Sequence, residues 1–330
     1  MGRQGMRGDL MRASLRSVVV GLAVVCLGSV VLVAQSPPEV PRTPWGTPKL
    51  DGVWDFRTLT PFERPEEYGD RAFLTEEEAA ALEQGAVGRN QAADEAPARR
   101  TEAGGSIGAY NQFWMDYGTK VVEERRTSLV IDPPNGRRPP MMPEARNRGG
   151  GGGSFGTAPL EQIEDLSFFD RCIGTMGLPI YPTAYNNNIQ LFQTPDHVVM
   201  FIEMMNDIRV IPLDRRPHGE VRQWMGDSRG RWEGDTLVVE TTHFDRRLTL
   251  VGASRNARLV ERFTRVSPEV LAYEYTVEDA TVWERPWTAL QSLRKSEAPV
   301  FEYACHEGNY AAANMLAGAR MDEAAALAGR

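Results

Sequence analysis

From Asn188 onward the chain is a succession of short apolar or alternating segments separated by turn signals, and this restricts its fold more than any other feature. Ile189–Gln193 is followed by Thr194-Pro195-Asp196-His197, with proline in the favoured second place of a turn. Val198–Met204 turns at Asn206-Asp207 into Ile208–Leu213. Arg229–Glu233 meets Thr236–Phe244 across Gly234-Asp235, the best hairpin signal in the chain. Arg258–Arg265 returns through Ser267-Pro268-Glu269 into Leu271–Glu278, and two more strands are expected at about Arg285–Leu293 and Val300–Ala304. No long amphipathic helix lies between them to carry a parallel crossover. The pattern therefore predicts a mainly β protein, an antiparallel meander forming a barrel or a sandwich. Alternation assigns faces: Leu237, Val239, Thr241 and His243 share one side of their strand, and Leu271, Tyr273, Tyr275 and Val277 one side of theirs.

The remainder divides by composition. Residues 1–16 are basic and residues 17–33 uncharged, with Ala34 at the end, so 1–34 has the order of a signal peptide or an N-terminal anchor. Residues 35–50, proline-rich, form an extended arm. Residues 51–148 are expected to pack alongside the β domain, opening with a short aromatic strand at Asp51–Phe56. They then carry a short helix capped by Thr75 with Glu78 at its third position, and a surface linker over 85–108. Arg126–Ile131 alternates well enough for a strand, and Pro133-Pro134-Asn135-Gly136 signals a turn. Residues 149–159 are a glycine-rich loop, 160–309 the antiparallel β domain, and 310–330 an Ala-rich helix able to pack across the end of the sheet. Cys26 belongs to the apolar run; the remaining pair, Cys172 and Cys305, is expected to form a disulfide in an exported, periplasmic or secreted protein. The net charge of −8 becomes more negative without residues 1–34, which argues against a nucleic-acid partner. Contact with a membrane is expected only through an uncleaved N-terminal segment.

Enzyme signatures are scarce. The chain has no Gly-x-Ser-x-Gly elbow, no phosphate-binding Gly-x-x-x-x-Gly-Lys and no dinucleotide fingerprint. Its four histidines, His197, His218, His243 and His306, lack metal-ligand spacing, and no metal or cofactor is expected. The densest polar cluster is Asp207, Arg209, Asp214, Arg215, Arg216, His218, Trp224 and Asp227. A histidine beside carboxylates suits acid–base work, and an arginine can fork a carboxylate. His218, His243, Arg209 and Asp214 are accordingly the catalytic candidates, and Arg209, Trp224, Asp227 and Trp232 the ligand-binding ones. A hydrogen-bonded loop closing a barrel mouth explains the same cluster without any chemistry.

Several stretches carry a resemblance. Arg171-Cys172-Ile173, Tyr185–Gln193, RVIPLDRRPH at Arg209–His218, WMGDS at Trp224–Ser228, GRWEGDTLVVETT at Gly230–Thr242, CHEGNY at Cys305–Tyr310 and DPPNGR at Asp132–Arg137 resemble a family of exported bacterial proteins with no established activity. The similarity spans roughly residues 50–320, implies export and imports no catalytic residues. Arg215 stands where the family has glycine in its Asp-Gly-Arg-Pro-His run, which alters a turn. Gly52-Val53-Trp54, repeated as Gly230-Arg231-Trp232, also resembles the Gly-x-Trp that opens lipocalin barrels. Seven Trp, nine Tyr and twelve Phe suffice to line an apolar cavity or to fill a solid core. The leading expectation is a small, partly apolar molecule bound in or at the mouth of the β structure. The alternatives are an extracytoplasmic enzyme using His218 or His243 with Arg209 and a carboxylate, and a structural or interaction module.

Overall fold

A computed structural model describes residues 39–95, 115–116, 118–146, 160–167, 169–174, 177–245 and 251–329. The expected signal or anchor at 1–34 and glycine-rich loop at 149–159 lie outside them, as do the first four residues of the arm, 35–38, and residues 96–108 of the linker. Ten strands form one antiparallel sheet: β1 (Gly52–Asp55), β2 (Val130–Asp132), β3 (Asn188–Gln193), β4 (His197–Ile202), β5 (Asp207–Pro212), β6 (Asp227–Glu233), β7 (Thr236–Thr242), β8 (Arg258–Ser267), β9 (Val270–Glu278) and β10 (Trp287–Ser296). Their order is β5-β4-β3-β1-β10-β9-β8-β7-β6, with β2 also pairing β10. The sheet curls until β5 and β6 come together, so it is a nearly closed barrel. Side chains close this seam. Arg209 on β5 donates to Ser228 on β6, and Ile211 and Leu213 cover Gly230. A Cβ on Gly230 would lie 2.6 Å from Leu213 Cδ2 and 2.8 Å from Ile211 Cγ2, so glycine lets the two edges meet.

The Gly234-Asp235 hairpin joins β6 and β7 with Glu233 opposite Thr236. Leu271, Tyr273, Tyr275 and Val277 all point inward and are fully buried. The interior is packed rather than hollow along most of its length. Trp54, Phe263, Tyr273, Tyr275, Trp287 and Phe244 fill it, and each buried large apolar side chain contributes roughly 1.5–3 kcal/mol. One end is closed by Trp54, whose indole donates to Leu50 O at 2.8 Å, with the Arg265 guanidinium over its ring.

Several elements differ from the sequence expectation. β1 does not lie beside the β domain: it sits inside the sheet between β3 and β10, with Val53 opposite both Gln190 and Ser296. The Thr75–Glu78 capping box is present, Glu78 N donating to Thr75 Oγ1 and Thr75 N to Glu78 Oε2. Its helix α1 (Glu76–Glu95), however, runs through the expected linker up to Glu95. The Ala, Glu and Gln residues there favour helix even though only Ala79 and Ala86 are buried. Of the expected Arg126–Ile131 strand only Val130 and Ile131 enter β2, and Arg126 forms an isolated bridge to Phe73. Val300–Ala304 is not a strand; Glu203 and Asn206, beside the β4–β5 turn, accept from Phe301 N and Tyr303 N in place of a ladder. A short helix α2 (Pro143–Arg146) follows β2. The C-terminal helix α3 (Ala311–Ala328) buries no side chain; Arg320 ties it to the backbone carbonyls of Leu160 and Glu161. Cys172 and Cys305 are bridged, their Cα atoms 5.6 Å apart.

Candidate functional site

The alternation of β5 to β8 splits the sequence candidates between two faces of one wall. Arg209 points inward and is 3% exposed. Its Nε donates to Ser228 Oγ at 2.9 Å, Nη1 to Glu261 Oε1 at 3.0 Å, and Nη2 to Thr241 Oγ1 at 2.6 Å and Glu261 Oε2 at 2.5 Å. Glu261, fully buried, also accepts from the Tyr273 hydroxyl at 2.7 Å. Burial and the Glu261 charge push the Tyr273 phenol well up, so it remains a donor. This network answers every polar group that β5, β6, β7 and β8 turn toward one another at that level. It consumes Arg209 as a structural counter-ion.

His218 and Asp227 belong to the opposite, outer face. His218 Nδ1 lies 3.3 Å from Asp227 Oδ2 and Nε2 lies 3.4 Å from Glu240 Oε1. Gly219 N donates to the same Asp227 oxygen at 2.7 Å, and Arg229 Nη1 donates to the other at 2.5 Å. Arg258 bridges Glu240 and Glu278, and its hydrogen bond holds the Glu240 carboxyl below the usual range. The arrangement latches the 213–226 loop onto the barrel wall.

His243 does not face inward as the alternation predicts. Its φ of +57° breaks the strand, so Phe244 turns into the core at 1% exposure. The His243 ring instead stacks on His218, centroids 6.0 Å apart, and its Nδ1 lies 2.8 Å from Thr242 Oγ1. Asp214 is exposed and bound to Arg216, which draws its carboxyl down to about 2. Arg215 adopts φ +58°, the glycine-favouring conformation, so the turn keeps a glycine shape with arginine in it. Trp224 is half-buried in the loop, and Trp232, half-buried, packs against the core. The structure thus brings His218, Asp227 and His243 together, and places Arg209 behind the wall from them. Among the described residues no group of three His, Cys, Asp or Glu side chains is placed to hold a metal ion.

A cleft of about 610 Å³ opens elsewhere, lined among others by Pro61, Phe62, Leu129, Arg138, Tyr181 and Val251. Pro61 and Phe62 follow β1, Arg138 follows β2, Tyr181 precedes β3 and Val251 lies between β7 and β8, while Leu129 joins them by donating its amide to Pro61 O. In an antiparallel barrel all of those positions fall at one end, opposite the Trp54 plug. Phe62 meets Trp287 edge-on at 5.7 Å, and Trp287 in turn meets Tyr275 at 6.0 Å, so the cleft floor is continuous with the barrel core. The Arg138 guanidinium covers the Phe62 ring, donating through Nε to Glu63 Oε1 and through Nη1 to Val251 O. Sequence reasoning placed Tyr275 inward but passed over Arg138, Tyr181 and Phe62. These stand on loops, where no periodicity marks the direction of a side chain.

No family model and no curated protein matches the chain. A solved structure of a secretory abundant heat soluble protein from Ramazzottius varieornatus matches 39% of this chain and 86% of its own, at 19% identity and a TM-score of 0.24. So low a score supports no argument about what the chain binds or does.

Proposed function

We propose that the protein binds a small, partly apolar molecule in the cleft at the open end of the barrel. The observation that carries this reading is the cleft itself. Its volume lies within the range of about 300–1,000 Å³ usual for small-molecule sites, and apolar and aromatic walls surround a few polar groups. The barrel interior is too well filled to serve instead. Export is part of the proposal: it rests on residues 1–34, on the family resemblance, and on a disulfide of the kind that persists in oxidising compartments. The acid–base reading loses its support, because it needs Arg209 and the histidines in one cavity and they occupy opposite faces. The interaction-module reading is supported by exposed apolar side chains, among them Phe192, Ile208 and Val210 on the outer face of β3 and β5.

The test is a fluorescence titration with the neutral apolar probe N-phenyl-1-naphthylamine. Saturable binding to the wild-type chain is expected, weakened about tenfold or more by Val251→Trp, a loss of roughly 1.4 kcal/mol or more, because the indole fills the cleft rim. Absence of saturable binding, or binding indifferent to Val251→Trp, would overturn the assignment.

A further inference from the structure

The outer wall of the barrel changes character between its two halves. Over β6 to β9 the outward side chains pair by charge: Arg258 bridges Glu240 and Glu278, and Arg262 meets Glu233. On β3, β4 and β5 the inward positions belong to buried residues such as Leu191, Met200 and Ile211, so alternation turns the residues between them outward. The register lays these in two rows. Phe192 stands opposite Val199, and Val199 opposite Val210; Gln190 stands opposite Phe201, and Phe201 opposite Ile208. Neither row contains a charged side chain. Side chains directly opposite one another in a sheet touch, so all but Gln190 form one continuous apolar strip across three strands. Phe192 is 48% exposed, Ile208 65% and Val210 53%. An antiparallel sheet with one face in water normally turns polar residues out, as the charged half of this wall does. A contiguous apolar strip on the outside instead marks a contact surface.

Size and charge identify what covers it. Val199 and Phe201 are half-buried between the three exposed residues. Together they leave roughly 400 Å² of apolar surface bare, about half of the ~800 Å² that each side of a stable interface buries. That is the proportion of an apolar interface core, with Gln190, Asp196 and His197 beginning the polar rim. The complement of such a strip is another flat, uncharged apolar face, and the strip is itself one. The chain carries a net charge of −8, so two copies repel least where both are bare of charge. A two-fold axis sets one patch against the same patch, and sheet faces pack about 10 Å apart through side chains of this kind. We propose that the outer face of β3, β4 and β5 is the interface of a homodimer, two barrels packed wall to wall with Phe192, Phe201, Ile208 and Val210 at its core. None of the residues lining the cleft lies on these strands, so each copy keeps its cleft open.

The experiment is sedimentation velocity of the full chain across the micromolar range. The wild type is expected to show a concentration-dependent monomer–dimer equilibrium. Ile208→Glu sets a carboxylate in the strip against an apolar face and raises the dimer dissociation constant about tenfold or more. Val210→Lys does the same with the opposite charge. Both positions are more than half exposed, so circular dichroism melts should match the wild type. Val221→Glu, at a position 72% exposed in the 213–226 loop, leaves the equilibrium unchanged. A wild-type chain that stays monomeric, or a dimer equally stable in Ile208→Glu and Val210→Lys, would overturn the proposal. A monomer that binds phosphatidylcholine vesicles and loses them in Ile208→Glu would give the strip to a lipid surface and overturn it likewise.

Discussion

Replacing Glu261 by Gln tests whether the barrel interior holds a true ion pair. The substitution keeps the side-chain shape and removes one charge. Arg209, 3% exposed, keeps its bonds to Ser228 and Thr241 but loses its counter-ion. Water cannot reach it, so the guanidinium stays charged in a poorly polarisable surrounding. Breaking one side of such a pair costs about 3–5 kcal/mol. For a domain near this size, 1 kcal/mol shifts Tm by about 2–4 °C, so Glu261→Gln should lower Tm by roughly 6–20 °C in a thermal melt followed by circular dichroism. The double variant Arg209→Met with Glu261→Gln removes both charges and should recover most of the loss. An exposed pair contributes only about 0–1 kcal/mol. A shift of a degree or two for Glu261→Gln, or no recovery in the double variant, would refute the claim that the charges are desolvated and mutually dependent.

Two further outcomes are expected from the outer wall. Arg215→Gly relieves a left-handed residue that costs about 1–2 kcal/mol, offset by the greater entropy of unfolded glycine, so stability in urea should rise by up to about 1 kcal/mol; a fall would show that the arginine side chain matters more than its backbone. The Glu240 carboxyl is depressed in the folded state by Arg258, so its stabilisation is present above the unfolded value of 4.5 and fades as pH falls through the folded one. Urea midpoints measured on acidification below about 4.5 should therefore drop less steeply in Glu240→Gln than in wild type, and an unchanged slope would contradict the Glu240–Arg258 pairing.

Regular alternation made much of the barrel wall legible. Leu271, Tyr273, Tyr275 and Val277 were placed inward by period alone, and the Gly234-Asp235 turn set the β6–β7 register. In β8 the same period puts Glu261 between Leu259 and Phe263, and a carboxylate on an apolar face signals a buried partner. That signal, which the sequence analysis passed over, calls for a buried cation, and the structure supplies it as Arg209, whereas proximity in sequence grouped Arg209 with His218. Sequence neighbours on one strand face opposite ways, so a dense polar run was divided by the wall it helps to build. His243 escaped the pattern because a single positive φ resets alternation. The cleft residues Arg138 and Tyr181 were illegible because loop directions come from tertiary packing. The C-terminal helix forms from its alanines; Met315 and Leu316 are the large apolar groups on its half-buried face, and Arg320 supplies its tie to Leu160 and Glu161.

The position of β1 has a consequence for assembly. β3–β4–β5 and β6 through β10 are each built from hairpins whose partners are near in the chain, and each can form early. Four residues, Gly52–Asp55, splice these two half-walls, touching β3 on one edge and β10 on the other. The cylinder therefore cannot complete until the first of the described strands finds the last, and trimming the chain past Asp55 would leave the wall open between β3 and β10, held together only across the β5–β6 seam.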